Sequence, residues 1–196
     1  MAYALVVKIP WDPAKNAENQ VKHGVSFEEA SAPFTSERDY LEIFDEVHSE
    51  DEERLIAIGH VRRGLIVIVW TERHEDTIRI ISARWATGRE RLLYARHMEH
   101  DHDNHELTDE DFTSAMPARL RRRLMKGQFE TGQDIAALRR FVRLTQVRFA
   151  EAMGISVHTL RNWEQDRRRP EGPALALLRI AARHPKILHE NLEHAA

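Results

Sequence analysis

A change of hydrophobic period at mid-chain constrains the fold more than any other feature. Before residue 97 the apolar residues come in short runs and alternations. The longest run, Leu65-Ile66-Val67-Ile68-Val69-Trp70, has the pattern of a strand covered on both faces. Past residue 100 no strand pattern occurs, and apolar groups recur at helical spacing, as in Ile135, Leu138, Phe141 and Val142. Between the two lies residues 97–106, HMEHDHDNHE, with Met98 as its one apolar side chain. A chain of 196 residues divided this way reads as α+β, a small antiparallel-sheet domain followed by an all-α domain.

Finer signals place the elements. Residues 5–9 read as a short strand stopped by Pro10, and Asp12-Pro13 as the start of a helix ended by His23-Gly24. Ser26-Phe27-Glu28-Glu29 is a capping box for a second helix stopping near Phe34. Strands are expected over residues 54–61, 65–71 and 77–85, with turns at 62–64 and 72–76 and a weaker strand near 39–44. Residues 88–97 read as a helix with Leu92 and Leu93 facing inward, and Trp11, Phe27, Ile80 and Ile81 read as core. Beyond the linker, Thr108 is expected to cap a helix to about 128 that Pro117 kinks or restarts. Helices then follow over 132–144, 146–153, 157–165, 174–183 and 186–192. The boundaries so drawn are 1–97, a linker and neck over 98–130, and 131–196.

Composition excludes several classes. The chain has no cysteine, which removes disulfides, thiolate–zinc sites and a Cys nucleophile. No apolar run approaches the ~18 residues of a membrane helix, and the start lacks the basic and apolar regions of a secretory signal. The expectation is a cytoplasmic protein without a membrane partner. His97, His100, His102 and His105 in the acidic linker form at best an adventitious metal site, so no metal or cofactor is expected. The net charge of -3 conceals a segregation: residues 98–116 carry seven acidic and no basic side chains, whereas 117–169 carry 13 basic against five acidic. That basic block points to a phosphate-rich partner.

Residues 145–164 explain the block. Thr145 caps one helix, Ala150 is small where two helices cross, Gly154 suits a tight turn, and Ser156 caps a second helix whose Leu160 and Trp163 face inward. Val157, His158, Arg161, Asn162 and Gln165 are left on the outer face. A helix fits the major groove, where Arg161 matches guanine and Asn162 adenine. Gln146 is placed to reach a phosphate or base, and Arg148, Arg167, Arg168 and Arg169 to neutralise phosphates. Ser156, His158 and Thr159 complete the residues expected at DNA. Residues 131–183 resemble the Xre/lambda-repressor-like helix-turn-helix family, especially its HigA-type antitoxins. The matching positions are Leu144-Thr145-Gln146, Phe149-Ala150, Gly154-Ile155-Ser156, Thr159-Leu160, Trp163-Glu164, Arg168-Arg169-Pro170 and Gly172-Pro173-Ala174-Leu175. The resemblance implies operator binding, normally as a homodimer. One departure is Asp166, where the family usually has Gly; Asp tolerates the left-handed conformation.

In the first half, Lys22-His23 ends a helix, His48 precedes the acidic run Glu50-Asp51-Glu52-Glu53, and Arg54, Arg73, Arg79 and Arg84 open or flank strands. Metal-free cleavage of RNA by its own 2′-hydroxyl needs a base, cations around the phosphate and an acid, but spacing alone does not make these residues a site. Regular alternation would put Arg79 and Arg84 on opposite faces of their strand. Residues 9–97 resemble the BrnT ribonuclease toxins, similar in fold to RelE. The resemblance rests on Trp11-Asp12, Lys22-His23-Gly24-Val25-Ser26-Phe27-Glu28-Glu29-Ala30, His48-Ser49-Glu50, Glu53-Arg54 and Ile78-Arg79-Ile80-Ile81-Ser82-Ala83-Arg84. It implies RNA as substrate, Arg54, Arg79 and Arg84 for phosphate and transition-state charge, and Glu53 or His48 as base or acid. Lys22, His23 and Tyr94 are secondary candidates.

The segment 107–112 with Pro117-Ala118-Arg119 is similar to the opening of BrnA-type antitoxins. It implies a neutralising neck in which Asp109, Asp111 and Phe112 meet the toxin. Two functions remain open at this stage. One is a ribonuclease silenced by its own antitoxin half, which also represses transcription. The other is a DNA-binding regulator whose first half is inactive and serves assembly.

Overall fold

The computed structural model describes residues 8–74, 77–99 and 110–193. The chain divides into two compact units, Met1–Glu106 and Leu107–Ala196.

The first unit opens with three helices: α1 (Pro13–His23), α2 (Phe27–Ala30) and α3 (Ala32–Thr35). Asp12 accepts from the amides of Ala14 and Lys15 at the start of α1, and Gly24 ends it at φ 69°, a left-handed conformation that a Cβ would oppose. An antiparallel sheet follows, β1 (Leu41–Phe44), β2 (Leu55–Val61), β3 (Gly64–His74) and β4 (Thr77–Trp85), in the order β4-β3-β2-β1. One face of the sheet packs on the helices, α1 and α2 against β4 and α3 against β2. Phe34 of α3 meets Trp70 edge-on at 5.4 Å. Phe27, Phe44, Leu55, Ile66 and Ile68 are fully buried there, each worth roughly 1.5–3 kcal/mol against exposure. Helix α4 (Gly88–Glu99) closes the unit. Tyr94 of α4 stacks edge-on over His60 of β2 at 5.3 Å, which puts α4 on the opposite face.

Several expectations change. The expected strand over 5–9 lies mostly outside the described residues; Lys8 bridges Thr77 in parallel. β3 runs on to His74, through the expected turn, because a bulge at its end keeps pairing alive. Leu92 is 53% exposed while Leu93 is buried, since neighbours on a helix point 100° apart. Ile81 is displaced from the core by a bulge, and Trp11 is half-buried.

The second unit is helical: α5 (Glu110–Thr113), α6 (Ala118–Met125), α7 (Gly132–Phe141), α8 (Gln146–Ala152), α9 (Val157–Glu164), α10 (Pro173–Arg183) and α11 (Lys186–Glu193). The single helix expected over 108–128 is two. Met116–Pro117 is extended and α6 restarts after it, as the bias of proline and its predecessor against helix requires. Thr108 lies outside the described residues. Helix α7 stops at Phe141, short of the expected 144, because Arg143 turns left-handed at φ 57°. Arg121 is buried and donates from Nε and Nη2 to the carbonyls of Ala182 and Arg183, both at 2.9 Å, holding α6 to the end of α10. Gly132 passes so close to α9 that a Cβ would lie 2.4 Å from the carbonyl oxygens of Trp163 and Glu164.

Candidate functional site

In the first unit the decisive feature is a bulge in β4. Val69 pairs with Ser82 and Trp70 with Ile80, so Ile81 is skipped. The skipped residue resets the alternation, and Arg79 and Arg84 share one face, opposite to the expectation for a regular strand. It is the face away from α1–α3. They do not share a place on it. Arg79 pairs with Thr71 and Arg84 with Val67, roughly 13 Å apart along the strand. Arg84 is bound in a fork by Glu90, with Nη1 and Nη2 at 2.8 and 2.7 Å from its two oxygens. The guanidinium holds the Glu90 carboxyl down at about 2.

Arg79 keeps different company. Leu55 pairs with Trp70 and Trp70 with Ile80, so Arg54, one residue before β2, falls in line with Thr71 and Arg79 across the end of the sheet. Beside it the β1–β2 loop is tightly held. Asp45 N–H donates to Arg54 O at 3.0 Å. The buried Ser49 hydroxyl accepts from Arg54 N–H at 2.9 Å and donates to Asp45 O at 2.6 Å. The same loop carries His48, whose Nδ1 lies 2.8 and 3.1 Å from the Asp45 carboxylate oxygens. A carboxylate only accepts, so Nδ1 carries a proton in this contact, and the imidazole side chain is largely exposed. Glu52 lies 2.6 Å from Arg73 Nη2 and 3.7 Å from Arg54 Nη2. Glu53 is half-buried and already engaged.

Within the motif 22–30, Val25, Ser26 and Glu29 make structural contacts. Asn19 is buried and donates to the carbonyls of Val25 and Ala83, both at 2.8 Å, tying α1 to β4. Ser26 caps α2. Glu29 grips Arg63, which lies 5.0 Å over the Trp85 ring. Tyr94 belongs to the far end of the sheet with Arg84, its hydroxyl donating to Asp39 O at 3.3 Å, and burial raises its pKa.

In the second unit α8 and α9 form a helix, turn and helix. Thr145 and Ser156 accept from Arg148 N–H and Thr159 N–H, and Gly154 takes φ 64° in the turn. Leu160 and Trp163 are buried, His158 and Arg161 are exposed, and Asn162 is half-buried. Arg167, Arg168 and Arg169 are exposed in the turn after α9. The hydroxyls of Ser156 and Thr159 lie 2.9 Å apart, bonded to each other. Gln146 is a strut: its Nε2 donates to Glu164 at 2.6 Å and its Oε1 accepts from Arg161 Nε at 3.3 Å. Behind it Arg139 Nε donates to the same carboxylate at 2.6 Å. Asp166 stands at φ 57°, and its carboxylate accepts from Gly132 N–H at 2.7 Å. Asp166 thus supplies the first amide of α7 with an acceptor that a glycine at this position would lack.

In α5, Phe112 is buried and Asp111 follows Glu110 in the helix. Asp109 lies outside the described residues. So do His100, His102 and His105 of the linker; no cluster of metal-ligating side chains occurs among the described residues. No helix among the described residues is long and apolar enough to cross a membrane.

Residues 11–90 match the family model described as the ribonuclease toxin BrnT of type II toxin-antitoxin systems. This stretch is a BrnT toxin domain. The chain is also similar to the crystal structure of the Brucella abortus ribonuclease toxin BrnT. The two are 24% identical over 41% of this chain and 97% of that one, with a TM-score of 0.32. A further stretch of 55 residues is 38% identical to antitoxin HigA-2 of Vibrio cholerae. It covers 28% of this chain and 53% of the antitoxin, so the chain spans about half the length of this curated relative. The chain therefore joins a BrnT toxin domain to a region similar to the antitoxin HigA-2.

Within the BrnT domain, sequence reasoning missed Asp45 and named Glu52 and Arg73 only as members of their charged groups, not as a pair. Asp45 and His48 stand three apart with a carboxylate and an imidazole, a spacing that brings side chains together on a helical turn, so that pair was readable. The Glu52 contact joins residues 21 apart in the chain and has no local signal.

Proposed function

We propose that the chain is a self-restrained toxin: a metal-independent endoribonuclease in its BrnT domain, held in check by the antitoxin-like half, which binds operator DNA as a homodimer and represses transcription. The carrying observation is the coincidence of a BrnT domain and a HigA-like region on one chain. Tethering keeps antidote and toxin at roughly millimolar effective concentration. The neck residues Asp109, Asp111 and Phe112 are assigned to restraint.

The arrangement at the sheet end supports the chemistry. Arg54 and Arg79 bear on the phosphate and its developing charge. His48 Nε2 takes the proton of the 2′-hydroxyl, whose oxygen attacks phosphorus. The 5′-oxygen leaves as it takes a proton from solvent water, giving a 2′,3′-cyclic phosphate and a 5′-hydroxyl. Asp45 fixes the tautomer and supports the imidazolium. Glu53 is the alternative base, and Arg84 is assigned to structure because Glu90 occupies its fork. In the DNA-binding half, Arg161 and Asn162 read bases with His158 and Thr159 beside them, Gln146 orients Arg161, Ser156 caps the reading helix, and Arg167, Arg168 and Arg169 meet phosphates.

Expression of residues 1–106 alone tests the toxin half. Growth arrest with RNA cleavage is expected, abolished by His48→Ala and by Arg54→Ala. A fragment that is folded and harmless leaves the other reading, a DNA-binding regulator whose BrnT domain serves assembly.

A further inference from the structure

Arg54 and Arg73 converge on one carboxylate from different segments of the BrnT domain. Arg73 is well bonded, with Nη2 at 2.6 Å from Glu52 Oε2. Arg54 is not. Its Nη2 stands 3.7 Å from Glu52 Oε1, beyond hydrogen-bond reach, and its Nε is buried without a hydrogen-bond partner among the described residues. A buried guanidinium N–H left without an acceptor is costly and marks a place where a ligand or a shift of the side chain is expected to supply one. The carboxylate between the two arginines has the charge, the planar pair of oxygens and the span of two non-bridging phosphate oxygens.

We propose that Glu52 occupies the phosphate seat of the BrnT domain. Its carboxylate lies between Arg54 and Arg73 when no nucleic acid is bound and yields to the backbone phosphate of a single-stranded RNA. Arg73 is thereby a second phosphate ligand. This deepens the ribonuclease reading and rests on it for the identity of the ligand. The carboxylate does two things in the empty state. It relieves the repulsion of two guanidinium groups, and it makes the site bind RNA less tightly than the bare arginines would. The incoming phosphate accepts from both arginines, and the displaced Glu52, already 26% exposed at its side chain, turns to water.

The test uses the full chain and a single-stranded 2′-O-methyl RNA, which lacks the attacking hydroxyl and is not cleaved. Binding is followed by fluorescence anisotropy. Glu52→Gln keeps the shape and removes the competing charge, and is expected to bind about two- to fivefold tighter, the range of a partly exposed ion pair. Adding Arg73→Ala to Glu52→Gln is expected to erase the gain. Glu52→Asp, one methylene shorter, keeps the fold if the amide variant loses it, and is expected to give a smaller gain. A purely structural Glu52 predicts a lower melting temperature with unchanged or weaker RNA binding, and that result overturns the proposal. So does a gain that survives Arg73→Ala. The arrest experiment on residues 1–106 judges the nuclease reading separately. Arrest without a gain in Glu52→Gln removes only the role of Glu52, and a gain without arrest leaves a phosphate seat in a domain that does not cut.

Discussion

The BrnT domain and the outer face of α9 hold their arginines differently. In the BrnT domain Arg63, Arg73 and Arg84 each lie against a carboxylate, Glu29, Glu52 and Glu90. On the outer face of α9, Arg161 leans instead on the neutral amide of Gln146. The carboxylate is one layer further in, where Glu164 receives both Gln146 and the half-buried Arg139. A carboxylate partner cancels charge as it orients; an amide orients and leaves the charge standing. The second arrangement suits a surface that meets a polyanion at its full field. The first suits a sheet that holds its shape until a ligand competes for the guanidinium.

The largest expected effect follows from the inner layer. Glu164→Gln leaves Arg139 beside a neutral group while its side chain is only 18% exposed. Removing one partner of such a pair is expected to cost about 3 kcal/mol, read by urea denaturation of the second unit's transition. A loss comparable to that of an exposed pair would mean that the inner carboxylate is no different from those of the BrnT domain.

DNA binding sharpens the outer layer. Arg161→Ala is expected to lose about 10- to 100-fold in affinity for the chain's own upstream DNA and little on random DNA. Arg168→Ala is expected to weaken both and to flatten the salt dependence by roughly one. Equal losses on both sequences for both variants would remove the distinction between reading and steering.

Gln146 gives a finer test of amide against carboxylate. Gln146→Ala frees Arg161 and is expected to weaken specific binding about threefold, the scale of one long, exposed hydrogen bond. Gln146→Glu holds Arg161 but cancels it, and is expected to weaken binding further and to reduce the salt dependence. An anisotropy titration at two salt concentrations separates the two variants. If the carboxylate variant binds as well as wild type, orientation alone matters at this position.

Legibility in the sequence followed the range of the interactions. Caps and turn glycines act within four residues, and Asp12, Ser26, Thr145, Ser156, Gly24 and Gly154 all carry the roles their local patterns suggest. The strand order follows from short connections between β2, β3 and β4. The motif over residues 22–30, the most conspicuous in the first half, supplies packing: its neighbours Asn19 and Arg63 bind it to the sheet. What the sequence hid were tertiary events. The bulge at Ile81 depends on the pairing with β3, and it decides which face Arg84 shares. The turn at Arg143, at φ 57° in a residue with no special tolerance for it, depends on how α7 and α8 meet. The Glu52 contact depends on the β1–β2 loop meeting the end of β3. Type was therefore easier to read than grouping: the register puts Arg54 and Arg79 in line across the sheet end, and Arg84 stands apart with Glu90.

The smallest effect concerns that separated arginine. If Arg84 is structural, its worth lies in Glu90, whose carboxyl is lowered from 4.5 to about 2 by the Arg84 guanidinium first, with the Thr87 amide and hydroxyl adding to it. A carboxyl with a depressed pKa stabilises the fold in its charged form. The contribution is fully present above the unfolded value and is lost as pH falls through the folded one. Glu90→Gln should therefore be less stable than wild type by a constant amount above about pH 5. The gap should close between there and about pH 2. Solvent reaches the pair, with Arg84 42% exposed at its side chain, so the gap is expected to be about 1 kcal/mol. Denaturant midpoints at a series of acid pH values measure it. A gap that does not change with pH would mean that Glu90 acts through packing and the Thr87 cap, leaving the Arg84 fork open to a phosphate and returning Arg84 to the site with Arg54 and Arg79.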